Sequence, residues 1–322
     1  MSKIWKSKCS LAVLKQRAFL MSKIREYFQQ QNVLEVETPI LSSAGNTDVN
    51  IESFVADKIQ SDYSNSYLRT SPEFPLKRLL CSGIGDIFEL GKVFRKGEVS
   101  KVHNIEFTML EWYRVDFDYC ELIQDVERLF KAIFAAFEWP DLQSDIVTFK
   151  EAFDKALTVN IEKTTVVELN KLCENMDYSG SQLSYDEALD YLFATKVQPC
   201  FNKDSLTFVT EYPSSQAALA QINHNDMNTC LRFEVFFQGH ELGNGYQELT
   251  NAEELLVRFK ADNKQRVFRD LHQVCIDEQL LAAMKHGMPN CSGIAVGVDR
   301  LLMVLLNLNS IKDVLTFNAN NA

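Results

Sequence analysis

Residues 88–114, FELGKVFRKGEVSKVHNIEFTMLEWYR, constrain the fold more than any other stretch of the chain. Two alternating runs flank a polar loop, a pattern that predicts a β-hairpin with a long tip. Side chains alternate along a strand, so Glu89, Gly91, Val93 and Arg95 share one face. In the returning run Phe107, Met109, Glu111 and Tyr113 share one face. Such a hairpin presents a guanidinium, a carboxylate and a phenol to one surface, beneath a loop carrying Lys96, Glu98, Lys101 and His103. The guanidinium's fork of donors suits phosphate oxygens, and a strand end holds it better than a loop does. An amphipathic hairpin with its charges in water shows the same alternation, and this stretch alone favours that plainer reading.

The remaining chain narrows the choice. Leu11, Leu14, Ala18, Met21, Ile24 and Phe28 are spaced for one face of a helix over 11–31, and VLEVETPIL (33–41) reads as a strand ended by Pro39. Residues 42–66 are polar and turn-rich, with one strand candidate in NIESFVA. In LRTSPEFPLKRLLCSG, Thr70 or Ser71 caps a helix that has Pro72 in its first turn and Glu73 near its start. Residues 119–200 are mostly helical, with turn clusters at 140–146 and 177–184, and read as an insertion and packing layer. A buried-type strand follows and ends at Pro213.

RFEVFFQGHELGNGYQEL (232–249) predicts a second hairpin turning at Gly239, and Asn251 starts a helix with Glu254 placed for a capping box. Glu234, Glu241 and Glu248 recur every seven residues across it, although three glutamates on a hairpin are usually solvated. Position 244 is Asn, so the HExxH zinc pattern fails, and oxygen ligands without His or Cys suit Mg²⁺. Near the C-terminus, CSGIAVGVDRLLMVLLNL places Gly293, Ala295 and Gly297 on one nearly bare strand face. Asp299 stands at the junction with a helix that Arg300 opens. A flat ring could lie on that strand with a phosphate in reach of Arg300; close helix–sheet packing would also need the glycines. Neither GxGxxG nor GxxxxGK[ST] occurs, which removes the support for dinucleotide-binding and P-loop folds.

Composition excludes further classes. A net charge of −11 argues against a general nucleic-acid binder. The eight cysteines form no CxxC pair, so neither zinc-ribbon spacing nor a secreted disulfide framework is indicated. The N-terminus lacks the apolar run of a signal peptide, and LLMVLL at 301–306 is too short to span a bilayer. A cytoplasmic protein is expected.

FR…E…HN.EFTMLEWY resembles motif 2 of the class II aminoacyl-tRNA synthetases, and most closely their lysyl branch. The helix and strand closing on Pro39 resemble motif 1, and GIAVGVDR resembles motif 3. The resemblance runs from about residue 11 to 318. It implies an α+β fold, an antiparallel β-sheet flanked by helices, in one catalytic domain over 1–322 that works as a homodimer. Motif 1 begins so near the N-terminus that no anticodon-binding OB-fold is expected before it. That pattern is similar to the stand-alone elongation factor P–(R)-β-lysine ligases, which activate a lysine isomer with ATP and transfer it to a lysine side chain of elongation factor P. Ser71 in TSPE, where lysyl enzymes typically have Ala, and Ala295, where they have Gly, favour this branch.

Carried over by position, the resemblance implies that Arg95 binds the α-phosphate and Arg300 the terminal phosphates. His103 and Asn104 contact the nucleotide, and Phe107 stacks on adenine. Glu234 and Glu241 hold Mg²⁺, and Asn244 meets the substrate carboxylate. Glu111, Tyr113 and Glu248 receive the side-chain ammonium, Glu73 the other amino group, and Ser71 and Ala295 shape the pocket. Gly97 stands where the family has Glu, so Glu98 is expected to take over adenine contacts from one position along; Ile105 and Asn251 also depart from the family pattern. Activation by attack of a carboxylate on phosphorus needs positioning and electrostatics rather than a protein nucleophile. A truncated lysyl-tRNA synthetase charging tRNA and an inactive regulatory paralogue are the competing expectations. The acidic balance opposes stable tRNA binding, and the joint presence of Arg95, Glu234, Glu241, Glu248 and Arg300 opposes inactivity.

Overall fold

A computed structural model describes residues 5–7, 9–56 and 66–322. The QSDYSNS run at 60–66 lies, apart from Ser66, outside them. Two compact units are present, one of residues 1–141 with 247–322 and the other of residues 142–246.

The first unit opens with helix α1 (Leu11–Gln30), where the Ser10 side chain accepts from the Val13 N–H. Its buried face runs through Leu20, Ile24 and Phe28, while Leu11 and Ala18 face solvent. The expected stripe is therefore rotated, and Arg17 lies on the inner side. Strand β1 (Leu34–Glu35) pairs in parallel with β5 (Ile87–Phe94). The strand expected over 33–41 breaks after that short contact, because Pro39 has no N–H for a ladder. Chain resumes as β2 (Leu41–Ser42), β3 (Val55–Ala56) and β4 (Ser66–Leu68), a small antiparallel sheet in the order β2–β4–β3. Helix α2 (Glu73–Cys81) follows, with the Ser71 hydroxyl accepting from the Glu73 N–H at 2.9 Å.

β5 and β6 (Glu106–Val115) form the expected antiparallel hairpin in the register Glu89↔Glu111, Gly91↔Met109 and Val93↔Phe107. The two predicted faces are thus one face. Helix α3 (Tyr119–Ala136) carries an Asp118–Glu121 capping box.

The second unit holds β7 (Gln143–Thr148), α4 (Phe149–Leu157), α5 (Val166–Asn175), α6 (Tyr185–Leu192), β8 (Ser205–Pro213), β9 (Thr229–Phe237) and β10 (His240–Gln247). The turn cluster expected at 140–146 overlaps β7, which pairs in parallel with β8, and β8–β9 and β9–β10 are antiparallel. Alternation is too short in QSDIVT for periodicity to mark a strand. The tight turn of β9–β10 needs positive φ at both central residues, +50° at Gln238 and +73° at Gly239. Aromatic rings, with Phe149 stacked on Phe193 at 5.2 Å and others tilted or edge-on, fill the core between its helices and strands.

Back in the first unit, α7 (Ala252–Phe268) begins at Asn251, whose side chain accepts from the Glu253 and Glu254 N–H groups. Glu254 pairs with Arg258 one turn on, so the reciprocal half of the expected capping box is replaced by an ion pair. α8 (Glu278–Gly287), β11 (Cys291–Gly297) and α9 (Val298–Leu305) complete the unit. β11 pairs antiparallel with β6, placing Gly293 opposite Tyr113, Ala295 opposite Glu111 and Gly297 opposite Met109. One sheet face therefore carries the hairpin's chemistry beside a strand of very small residues. Behind it Phe28 stacks on Phe88 at 4.4 Å and meets Trp112 edge-on. Helices packed on sheets with mostly antiparallel pairing give the expected α+β class. Among the described residues no helix is long and apolar enough to cross a membrane.

Candidate active site

Glu111 lies at the centre of the sheet face. One carboxylate oxygen accepts from the Tyr113 hydroxyl at 2.7 Å and the other from the Ser71 hydroxyl at 2.7 Å. Glu73 and Glu248 are joined through a residue that the sequence reading passed over. Lys77 is 1% exposed, and its ammonium lies 2.6 Å from Glu73 Oε1 and 2.6 Å from Glu248 Oε2. Its position follows from α2: residues 73 and 77 share a helix face, and that face also buries Leu76, Leu80 and Cys81. A lysine amid the apolar positions of LKRLLC was the available signal.

Glu73 and Glu248 thus share one ammonium, with the Glu111 carboxylate close by. Burial alone would depress Lys77, but the charges of Glu248 and Glu73 outweigh it and hold the ammonium well above the usual lysine range. Burial also pushes Glu111 up to about 7, with the Glu73 charge adding to it and the Ser71 and Tyr113 hydrogen bonds opposing it. It pushes Glu248 up to about 8 against the pull of Lys77. Lys77 stays charged, while burial, with the Glu73 charge adding to it, brings Glu111 and Glu248 to titrate around neutrality, where a cationic ligand would favour their ionised forms. Burial followed by Glu111 raises the Tyr113 phenol, which therefore remains a donor.

Small residues on β11 make room for this cluster. A Cβ at Gly293 would stand 2.4 Å from the Tyr113 ring and 2.9 Å from Glu248 Oε1. A cavity of about 380 Å³ adjoins the cluster and includes Arg69, Ser71, Glu73 and Arg78 in its lining. Arg69, also unforeseen, is buried against Glu89 at 2.6 Å and donates to the Thr38 hydroxyl at 2.8 Å. Its guanidinium explains Gly91, where a Cβ would lie 2.5 Å from Arg69 Nη2.

Cationic groups gather at the hairpin's loop end. Arg95 donates to the Thr70 carbonyl at 3.3 Å, sits 3.6 Å from Glu98 and lies 5.3 Å over the Phe107 ring. Gly97, with φ +83°, turns the chain so that Glu98 faces back to Arg95. Arg300, in the first turn of α9, contacts His103 Nε2 at 2.8 Å, while His103 Nδ1 lies 2.9 Å from the Ser100 hydroxyl. Asp299 fixes that turn: it accepts from the Thr108 N–H at 2.7 Å and from Arg17 of α1. The Asn104 side chain is engaged with backbone, donating to Glu106 O at 2.7 Å and accepting from the Ala319 N–H at 3.0 Å. In this structure it braces the loop against the C-terminal segment.

In the second unit Glu234 lies opposite Asn244 on the β9–β10 ladder, and a bulge after Glu241 turns that residue towards the same face. Glu234 accepts from Arg232, whose guanidinium covers the Tyr212 ring at 4.5 Å. Burial raises the Glu234 carboxyl, Arg232 opposes the rise and the neighbouring Glu241 charge adds to it. Asn244 Oδ1 is buried without a hydrogen-bond partner among the described residues. Two mutually repelling carboxylates and an unused amide oxygen fit a hard, oxygen-liganded cation such as Mg²⁺. Among the described residues no His/Cys/Asp/Glu group of three or more is placed to hold a metal, so most of the coordination sphere would come from water and substrate.

These sites can be set against known proteins. The family model for class II tRNA synthetases (D, K and N) matches residues 3–321. The elongation factor P–(R)-β-lysine ligase of Pseudoalteromonas translucida (strain TAC 125) is 40% identical over 325 residues, covering 99% of this chain and 99% of that protein. Those of Yersinia pestis (strain Pestoides F) and Pectobacterium carotovorum (strain PC1) are each 39% identical, covering 99% of this chain and 98% of theirs. With its fold, its hairpin chemistry and this end-to-end similarity, the chain belongs to the class II tRNA synthetase family of the D, K and N type.

Proposed function

We propose that this protein is an ATP-dependent ligase that activates (R)-β-lysine and transfers it to a lysine side chain of elongation factor P. The observation that carries this reading is the buried cluster of Glu73, Glu111 and Glu248 around a single Lys77. With all three carboxylates ionised, as a bound dication favours, the single ammonium leaves two negative charges, which match the two ammonium groups of a lysine isomer. The name shared by relatives that match the chain end to end agrees with it.

In the first step a substrate carboxylate oxygen attacks the α-phosphorus of ATP and pyrophosphate leaves, giving an aminoacyl-adenylate. In the second the acceptor amine attacks the activated carbonyl and AMP leaves. Glu111, Tyr113 and Glu248 receive the side-chain ammonium, Glu73 the other amino group, and Ser71 holds Glu111 in place. Arg95 stabilises charge developing on the α-phosphate, where a preorganised donor is worth about 3 kcal/mol. Arg300 and His103 meet the outer phosphates, and Phe107 offers its ring to adenine once Arg95 turns to phosphate. Glu98 follows Arg95 into the nucleotide loop, and Asn104 supports that loop. Glu234 and Glu241 would hold Mg²⁺, which would supply neutralising charge for the phosphates, and Asn244 would meet the substrate carboxylate through its amide N–H.

The working form is a homodimer built on the 11–41 segment, and the compartment is the cytoplasm, in keeping with eight cysteines of which none is in a disulfide. The test is mass spectrometry of purified elongation factor P, and of tRNA, after incubation with ATP and each lysine isomer. The expected result is one β-lysyl adduct on the factor and none on tRNA. Adducts on tRNA alone would overturn the reading.

A further inference from the structure

We propose that Lys77 is the internal counter-ion of the substrate pocket, a positioning residue that sets the pocket's charge at two negatives and so fits it to an amino acid with two ammonium groups. The inference rests on the function proposed above and adds a residue to it. The Lys77 side chain is 2% exposed and bridges Glu73 on its own helix to Glu248 across the pocket. Stability alone gives little reason for it, because a buried ion pair seldom improves on a well-packed apolar residue of similar volume. Its ammonium does something a leucine could not. It offsets one carboxylate charge and holds Glu73 and Glu248 in place, while Glu111 is oriented separately by Ser71 and Tyr113. The other titratable groups around it are the Cys81 and Cys291 thiols, and burial holds both in the neutral form.

Removing the charge has a definite consequence. Without Lys77 the three carboxylates repel one another and take up protons, and an incoming diammonium substrate must displace them. The penalty is greatest at low pH and shrinks as the pH rises, since base removes the same protons. A change in packing alone has no such pH signature.

The experiment is pyrophosphate exchange driven by (R)-β-lysine and by lysine from pH 6 to 9, with melting temperatures recorded in parallel. Wild type, Lys77→Met and the double variant Lys77→Met/Glu73→Gln are compared. Lys77→Met is expected to raise KM for the amino acid about tenfold at pH 7, and to move the acid limb of kcat/KM up by about one pH unit. The deficit should narrow towards pH 9, with KM for ATP unchanged. The double variant restores the charge count while Gln keeps an acceptor at position 73, so it should recover most of the lost affinity and return the acid limb. It also lacks the extra unpaired carboxylate, so it keeps the test open if Lys77→Met does not fold. A double variant no better than the single one, or losses equal for ATP and amino acid at every pH, would overturn the inference. Wild-type enzyme inert towards every lysine isomer would instead overturn the proposed function.

Discussion

Replacing Arg95 with alanine removes the guanidinium that now lies over Phe107 beside the Thr70 carbonyl. Adenylate formation should fall about a hundredfold, the effect of losing one preorganised donor to a developing charge, about 3 kcal/mol. Single-turnover assays of adenylate measure this, and a wild-type rate would refute the assignment. Ala295 is the other residue to test, since its methyl group lies opposite Glu111 on the shared face. A methyl there narrows the space around the α-carbon of α-lysine, whereas β-lysine carries its amino group one carbon further from the carboxylate. One methyl in a pocket shifts preference by about 1–3 kcal/mol. Ala295→Gly should therefore raise kcat/KM for α-lysine relative to (R)-β-lysine, and an unchanged isomer ratio would remove this residue from the specificity argument. Sequence singles out both side chains because each sits in a dense motif. It does not single out Lys77 and Arg69, because what distinguishes them is burial beside acids distant in the chain: Glu248 for one, Glu89 for the other.

Among the elements, β11 depends most on its lack of side chains. Alternation in CSGIAVG shows a strand with one bare face, but not what covers that face. The β6–β11 register supplies the answer: Tyr113 fills the space that a side chain at Gly293 would need. Gly293→Ala should force the ring and Glu248 to shift, lowering stability by about 1–3 kcal/mol and weakening binding of the amino acid more than of ATP. Chemical denaturation with separate KM measurements checks both parts; unaltered stability would mean that the ring yields at no cost. Elements were read well where long periodicity or a strong cap marked them, as in α1 and β8–β10. They were read poorly where pairing partners decide, as at β7 and in the broken strand of 33–41, since a short edge contact leaves no period to detect.

For the whole molecule, the main proposal is assembly. Leu34, Ile40 and Leu41 are exposed, and β1 is an edge strand paired only with β5 among the described residues. Apolar side chains on an open edge invite a partner, and self-pairing about a two-fold axis covers both copies at once. Light scattering should give a dimer at micromolar concentration, and Leu34→Glu should shift it towards monomer with loss of activity. A fully active wild-type monomer would exclude the dimer as the working form.

What the sequence determined by itself was the class of the fold and the chemical inventory. Hairpin alternation, the small-residue strand and the order of the three motifs depend on neighbours within a few residues, so they survive in a one-dimensional reading. Tertiary structure alone decided how that inventory is used. It brought Lys77 between Glu73 and Glu248, gave Asn104 to the backbone of Glu106 and Ala319, and set Arg232 against Glu234. Charge compensation of this kind depends on distances and burial between residues far apart in the chain. Composition counts the charges, but only the folded arrangement says which of them cancel and how many are left for a substrate.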